Sequence, residues 1–461
     1  MSEQLELPVA EYDEELRARS SVFRPIHYLG SKLRLVEPIR ALVNAVDQDK
    51  GTVCDLFAGS GTVSMALAQE RSVIAVDIQE YSRVLCSAVL RPQTAAQQFL
   101  SCLADLVHTS ACSRVLFEAI DPLVKYERSS IKEAITGNPE PLCDLLENGS
   151  LLIAQREFPR QSAPALQRAL REATSCLTRA GLLDSDGSMV LRHFGGIYFS
   201  YHQAALIDLI LEGIHTCDRR YRDSLLAPLL STASDVVNTV GKHFAQPIRP
   251  RSKKGLPKRH LLRKIEEDRA IEVWATYLSW LERYAQLPES DHAHQAVRAD
   301  YRAALQTLPE SVSVVYADPP YTRDHYSRFY HVLETLCYRD DPTVSSVTLS
   351  GERTVSRGLY RESRHQSPFC IKSQAPEAFD ALFKGVRKRG IPLIVSYSPF
   401  AEASGARPRL MSIESIKTLA ERYFRSVEIS SAGRIAHSKL NATELNAEIN
   451  YDAEVLLVCS L

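Results

Sequence analysis

The chain has 461 residues, with 55 Lys+Arg against 56 Asp+Glu and a formal charge of −1. That balance excludes a globally basic polyanion binder, so any nucleic-acid site must be local. Hydrophobic residues make up 45% and charged residues 24%, enough apolar material for a packed core and too much for wholesale disorder. At roughly 100–200 residues per domain, the length predicts two to four domains, or one core with a large insertion. The ten cysteines include no Cys-x-x-Cys pair, so no structural zinc or other metal site is expected. Cys54 and Cys459 sit in apolar runs and read as buried thiols of a reducing compartment. With no apolar segment in residues 1–18 and no run of about 18 apolar residues, a cytoplasmic location is expected.

Residues 1–20 carry six acids and read as a loose lead-in. The run 53–58, Val-Cys-Asp-Leu-Phe-Ala, ends in Gly59-Ser60-Gly61. Residues 62–68 have helical composition, and the run 72–77 is β-branched and closes on Asp77. Strand, glycine turn, helix, strand is the pattern of a βαβ unit in a parallel sheet. Further strands are predicted at 312–318, 392–398, 426–429 and 453–458, the last two as a possible antiparallel edge. Between 91 and 310 the texture is helical, as in the run 203–211, and a loop rich in Pro, Lys and Arg interrupts it. The organisation read from this is a lead-in at 1–20, a first core part at 21–90, an inserted mostly helical domain at 91–310, and a second core part at 311–461.

Two segments carry chemistry. Asp55-x-Phe57-x-Gly59-x-Gly61 stands at a strand end, where glycines allow a sharp turn and close approach of backbone to a ligand. Asp77, at the next strand end, is placed to accept from ribose hydroxyls. The third glycine of a nicotinamide fingerprint is missing, and such turns also occur with no ligand. Asp318-Pro319-Pro320-Tyr321 follows a buried strand directly. Its prolines fix φ and leave carbonyls free to accept. A carboxylate and an aimed carbonyl are two acceptors for the two N–H donors of an amine, and Tyr321 offers a face for stacking a base.

Together with Tyr28-Leu29-Gly30-Ser31-Lys32, these segments resemble the Dam-like adenine-specific DNA amino-methyltransferases in their alpha-type motif order. The resemblance covers about residues 24–90 and 310–400. It implies an α/β fold, a Rossmann-like S-adenosylmethionine-dependent methyltransferase sheet with a large, mostly helical inserted target-recognition domain. It also implies S-adenosylmethionine as cofactor. By matching position, Tyr28 and Lys32 contact its methionine part. Asp55, Phe57, Ala58, Gly59, Ser60 and Gly61 line it, Asp77 binds its ribose, and Asp318 serves both cofactor and substrate amine. Asp318, Pro319, Pro320 and Tyr321 form the catalytic motif. Ser31 departs from the family's usual second glycine. The implied reaction is methylation of adenine N6 in duplex DNA after base flipping, within a restriction-modification setting that can include a cognate nuclease.

The third signal is charge. Nine Lys/Arg lie between Lys242 and Lys264 with no acid among them, a concentration suited to phosphates or to a solvated surface loop. Lys242, Arg249, Arg251, Lys253, Lys254, Lys258 and Arg259 are the DNA-contact candidates. Arg357 and Arg361, from the stretch after the catalytic loop, join them. Tyr326, Phe329 and Tyr330 are expected to pack rather than read bases. Competing readings are a methyltransferase of the cytosine amino group, an RNA methyltransferase, and an inactive DNA-binding protein with the same fold.

Overall fold

Residues 23–156, 162–349, 352–398, 409–431 and 454–461 are described by the computed structural model; the expected lead-in lies outside them. The short apolar runs form strands because they are buried on both faces. They are β1 (Thr52–Leu56), β2 (Val73–Asp77), β4 (Val312–Ala317) and β7 (Leu393–Tyr397). Side-chain alternation splits each strand between two cores. Val53, Val73, Val314 and Ile394 face one; Cys54, Ile74, Val315 and Val395 face the other.

With β3 (His294–Arg298), β8 (Ser426–Ser431) and β9 (Val455–Ser460), seven strands among the described residues form one sheet in the order β3-β2-β1-β4-β7-β9-β8. The first five are parallel neighbours: Val53 pairs with Val73 and Val314, Val73 with His294, and Val315 with Leu393. Strand β9 (Val455–Ser460) runs antiparallel to both β7 and β8 (Ser426–Ser431). The antiparallel pair expected at the C-terminus is therefore present, with the last strand inserted between its neighbours. A separate hairpin joins β5 (Ser346–Leu349) to β6 (Glu352–Val355).

Strand β3 (His294–Arg298) was not among the predicted runs and lies within the 91–310 block. It is an edge strand with β2 as its neighbour. Its sequence, His-Gln-Ala-Val-Arg, is half-buried rather than apolar, as edges can be. The predicted helical run 203–211 falls inside the helix Tyr201–Thr216. Helices between residues 97 and 285 pack on one face of the sheet. Leu103, Ile120, Ile210 and Leu229 share a core with Val53 and Val73, so the helical block and the sheet face are continuous in their packing. No helix among the described residues is long and apolar enough to cross a membrane.

Candidate active site

Strands β1 and β4 are neighbours, yet β1 leads to β2 on one side and β4 to β7 on the other. Their following loops diverge at the carboxyl edge, where open α/β sheets bind ligands. A partly open cavity lies there. Phe57 enters it from the loop after β1, Asp77 and Ile78 from β2, Asp300 from β3, and Asp318 and Pro320 from β4.

The turn after β1 is built around Asp77. Its Oδ2 accepts from Gly59 N at 3.0 Å and its Oδ1 from Gln79 N at 2.9 Å. Phe57, Gly59 and Gly61 have φ of 71°, 57° and 78°, conformations that glycine adopts at little cost. At Gly59 a Cβ would also stand 2.6 Å from the Tyr28 hydroxyl, so the turn and Tyr28 require glycine together. Phe57 accepts the strained φ and points its ring at Phe369, with centroids 5.3 Å apart, edge to face. Tyr28, on the cavity wall, stacks on Tyr330 at 5.2 Å.

Asp55 faces inward. It is 1% exposed and accepts from Ser64 Oγ at 2.5 Å. Burial pushes its carboxyl up to about 7 against the pull of that hydrogen bond. Asp55, Ala58, Gly59, Ser60 and Gly61 are not among the residues lining the cavity; they shape the turn that presents Phe57 and Asp77. Burial also raises Asp77, although backbone N–H groups oppose it.

Around Asp318 three polar side chains converge: Lys32, Glu454 and Tyr321. Lys32 Nζ is 2.7 Å from Asp318 Oδ2 and 3.4 Å from Glu454 Oε1, and it donates to Gly30 O at 3.1 Å. Tyr321 donates its hydroxyl to Glu454 Oε1 at 3.2 Å. Burial pushes Asp318 up to about 6; the Lys32 cation pulls it down and the Glu454 charge pushes it up. Burial alone would lower Lys32, but Asp318 and Glu454 outweigh it and hold the ammonium well above its usual value. Pro320 lines the cavity, whereas Lys32, Tyr321 and the buried Pro319 are not among its lining residues. The Arg409 guanidinium lies 4.6 Å over the Tyr321 ring.

Tyr326 donates to Leu29 O at 3.1 Å, and Tyr330 donates to His27 O at 3.3 Å while accepting from Leu29 N at 2.7 Å. The aromatic run after the catalytic loop thus fastens the segment that carries Tyr28 and Lys32, a positioning role in line with the packing expected for it.

Sequence reasoning missed Glu454, Asp300 and Glu334. Glu334 accepts from Glu80 N at 3.1 Å and Tyr81 N at 3.0 Å, tying down the helix after β2. Asp300 had a signal: like Asp77, which ends its strand, and Asp318, which follows one, it is an acid at a strand's carboxyl end. Glu454 had none, because it reaches Lys32 only through the insertion of β9 beside β7.

The basic segment divides sharply. Lys242 Nζ binds Asp268 Oδ1 at 2.7 Å and the carbonyls of Asp235 and Val237 at 2.7 and 3.0 Å. Arg251 pairs with Glu140 at 2.7 Å and Glu147 at 3.1 Å. Arg361 holds Asp340 through two 2.6 Å bonds, and Arg357 donates to Ile248 O at 2.7 Å. These four cations are engaged within the fold. Arg249, Lys253, Lys254 and Arg259 are exposed and Lys258 half-buried. Lys253 and Lys254 ride the tip of a tight turn closed by Ser252 N to Leu256 O at 2.8 Å and Lys258 N to Pro250 O at 2.7 Å.

A family profile described as D12 class N6 adenine-specific DNA methyltransferase matches residues 28–113 and 280–389. Type II methyltransferase M.NlaIII of Neisseria lactamica is 25% identical over 411 residues, which is 86% of this chain and 88% of that protein. Modification methylase LlaI of Lactococcus lactis subsp. lactis is 23% identical over 379 residues, 81% of this chain and 46% of that longer protein. The profile takes in all the loops that meet at the cavity and leaves out most of the helical block between them. By those matches and the motifs they contain, the chain is similar to the D12 class of N6 adenine-specific DNA methyltransferases, and the similarity supports adenine-specific DNA methylation.

Proposed function

We propose that this adenine-specific DNA methyltransferase draws its methyl group from S-adenosylmethionine and delivers it to a flipped-out adenine held by Asp318. The observation that carries the reading is the placement of Asp318 on the wall of the cavity that also contains Asp77 and Phe57, at the switch point of the sheet. The cavity suits the cofactor chemically. Asp77 keeps lone pairs beyond those given to Gly59 and Gln79, for ribose hydroxyls. Phe57, Ile78 and Phe369 supply apolar walls for a purine, and Asp300 an acceptor at its edge. When bound, the cofactor supplies an electrophilic methyl on a sulfonium.

The chain's own residues do the rest. The amino nitrogen of adenine is a poor nucleophile because its lone pair is conjugated with the ring. Asp318 and the Pro319 carbonyl accept its two N–H groups and favour a more tetrahedral nitrogen, with its lone pair aimed for in-line attack at near-attack distance. Lys32 on Oδ2 keeps Asp318 an acceptor, since a carboxylate has sites for both the ammonium and the amine. Tyr321 offers a stacking face worth ~1–3 kcal/mol against the few kcal/mol that base extrusion costs. A Rossmann-like methyltransferase core with the helical block as target-recognition region, and cytoplasmic modification of DNA beside a cognate nuclease, belong to the same reading. The relatives, a type II methyltransferase and a modification methylase, support the restriction-modification part of that setting.

Incubation with labelled S-adenosylmethionine and duplex DNA, single-stranded DNA or RNA, followed by nucleoside analysis, tests it. The expected product is N6-methyladenine from the duplex. Label on the cytosine amino group, on RNA alone, or on no nucleic acid contradicts it.

A further inference from the structure

The exposed cations nearest the catalytic loop are not those of the 242–264 segment. An open cleft beside the reaction cavity is lined by Arg323, His325, Cys370, Ile371, Lys372 and Ser373. Two chain segments that line the cavity run on to line the cleft. One wall passes from Asp318 and Pro320 in the cavity to Arg323 and His325 in the cleft; the other passes from Ser367–Phe369 to Cys370–Ser373. The walls are tied together by Ser327, whose hydroxyl donates to His365 O, and by Cys370 Sγ on Asp324 O at 3.2 Å.

Charge in the cleft is of one sign. No acid lines it. Arg323 and Lys372 are exposed, and among the described residues neither has an acidic partner. That contrasts with Lys242, Arg251 and Arg361. His325 Nδ1 is buried with no hydrogen-bond partner, and Ser373 adds a hydroxyl. Exposed cations without acidic partners are free to meet an anion that arrives at the mouth of the cavity.

We propose that this cleft is a phosphodiester site: Arg323 and Lys372, with the Ser373 hydroxyl, hold the DNA backbone next to the nucleotide whose base enters the cavity. The inference rests on the reading of the cavity as a DNA adenine site and deepens it. A base turned into the cavity keeps its covalent phosphates, which must lie at the mouth. There a cation on each wall fixes the strand and limits how far the base can swing. Such contacts position without reading sequence.

The test uses the full-length protein and a mixed-sequence duplex, with affinity measured across a salt series. Arg323→Ala and Lys372→Ala are each expected to lower the slope of log K against log salt by about 1, and the double variant by about 2. The double variant is expected to lose at least tenfold in DNA affinity at moderate salt, while its affinity for S-adenosylmethionine stays within twofold. Lys388→Ala serves as the charge-matched comparison. It lies in the last turn of the helix Ala375–Arg389, about 20 Å along that helix from the cleft, and is expected to leave the slope unchanged. A double variant with wild-type slope and affinity overturns the proposal. So does one that loses cofactor affinity tenfold with its DNA slope intact, which would assign the cleft to the cofactor. The salt slope is read from binding alone, so the proposal can fail while wild-type protein still makes N6-methyladenine, and the product analysis can fail on its own.

Discussion

The sheet's carboxyl edge and the basic 242–264 segment both stand out in the sequence, and they fare differently in three dimensions. At the edge, Asp77, Asp318, Phe57, Tyr28 and Pro320 come to one cavity, because strand ends in a parallel sheet deliver their loops to the same side. In the basic segment, adjacency in sequence does not become a common surface. Asp268, Glu140 and Glu147 come from elsewhere in the chain and engage Lys242 and Arg251. A motif bound to a strand end carries its geometry with it. A run of like charge does not say which of its members the fold will neutralise.

That contrast can be broken experimentally. The largest effect is expected at Lys32. Lys32→Met removes the cation that lowers Asp318, so the carboxyl protonates at higher pH and ceases to accept from the amine. Methyl transfer at pH 7 is expected to fall about 100-fold, within the range of a lost polar group at a reacting centre, and to recover partly as pH rises. A flat loss at every pH would mean that Lys32 acts on something other than Asp318.

Next comes stability at the basic segment. Lys242→Met leaves the 6% exposed Asp268 with Asn238 and the more distant Lys264. The expected cost is about 2 kcal/mol, measured by denaturant unfolding, with the salt slope for DNA unchanged. A fall in slope with full stability would restore Lys242 to the interface.

Glu454→Gln is expected to act more gently. The amide still accepts from Tyr321 but removes the charge that raises Asp318. Wild-type activity is expected to decline as pH falls through about 6, as Asp318 takes up a proton. In Glu454→Gln that acid limb moves to lower pH, while a purely structural role for Glu454 would leave it in place. The smallest effect is reserved for the turn tip. Lys253→Ala with Lys254→Ala is expected to lower the salt slope by at most about 2, with no change in folding. An unchanged slope would remove the tip from the DNA surface.

How much was legible follows the same division. Buried parallel strands announce themselves as apolar runs, so β1, β2, β4 and β7 and their loops could be placed from sequence. Strand β3 could not, since an edge strand of mixed polarity lacks that signature. With it went Asp300, though its position at a strand's carboxyl end matches that of Asp77 and Asp318. Glu454 was hidden for a topological reason: β9 doubles back between β7 and β8, and only that insertion sets its carboxylate against Lys32. The roles of Arg357 and Arg361 were unreadable because their partners, Ile248 O and Asp340, are unremarkable in sequence.

The central claim is that Asp318 grips the adenine amino group beside a bound methyl donor, and single-turnover methyl transfer by Asp318→Ala tests it most directly. With cofactor and duplex saturating, transfer is expected to fall at least about 1000-fold, while calorimetry finds S-adenosylmethionine bound within a few-fold of wild type. Transfer within tenfold of wild type would contradict the account.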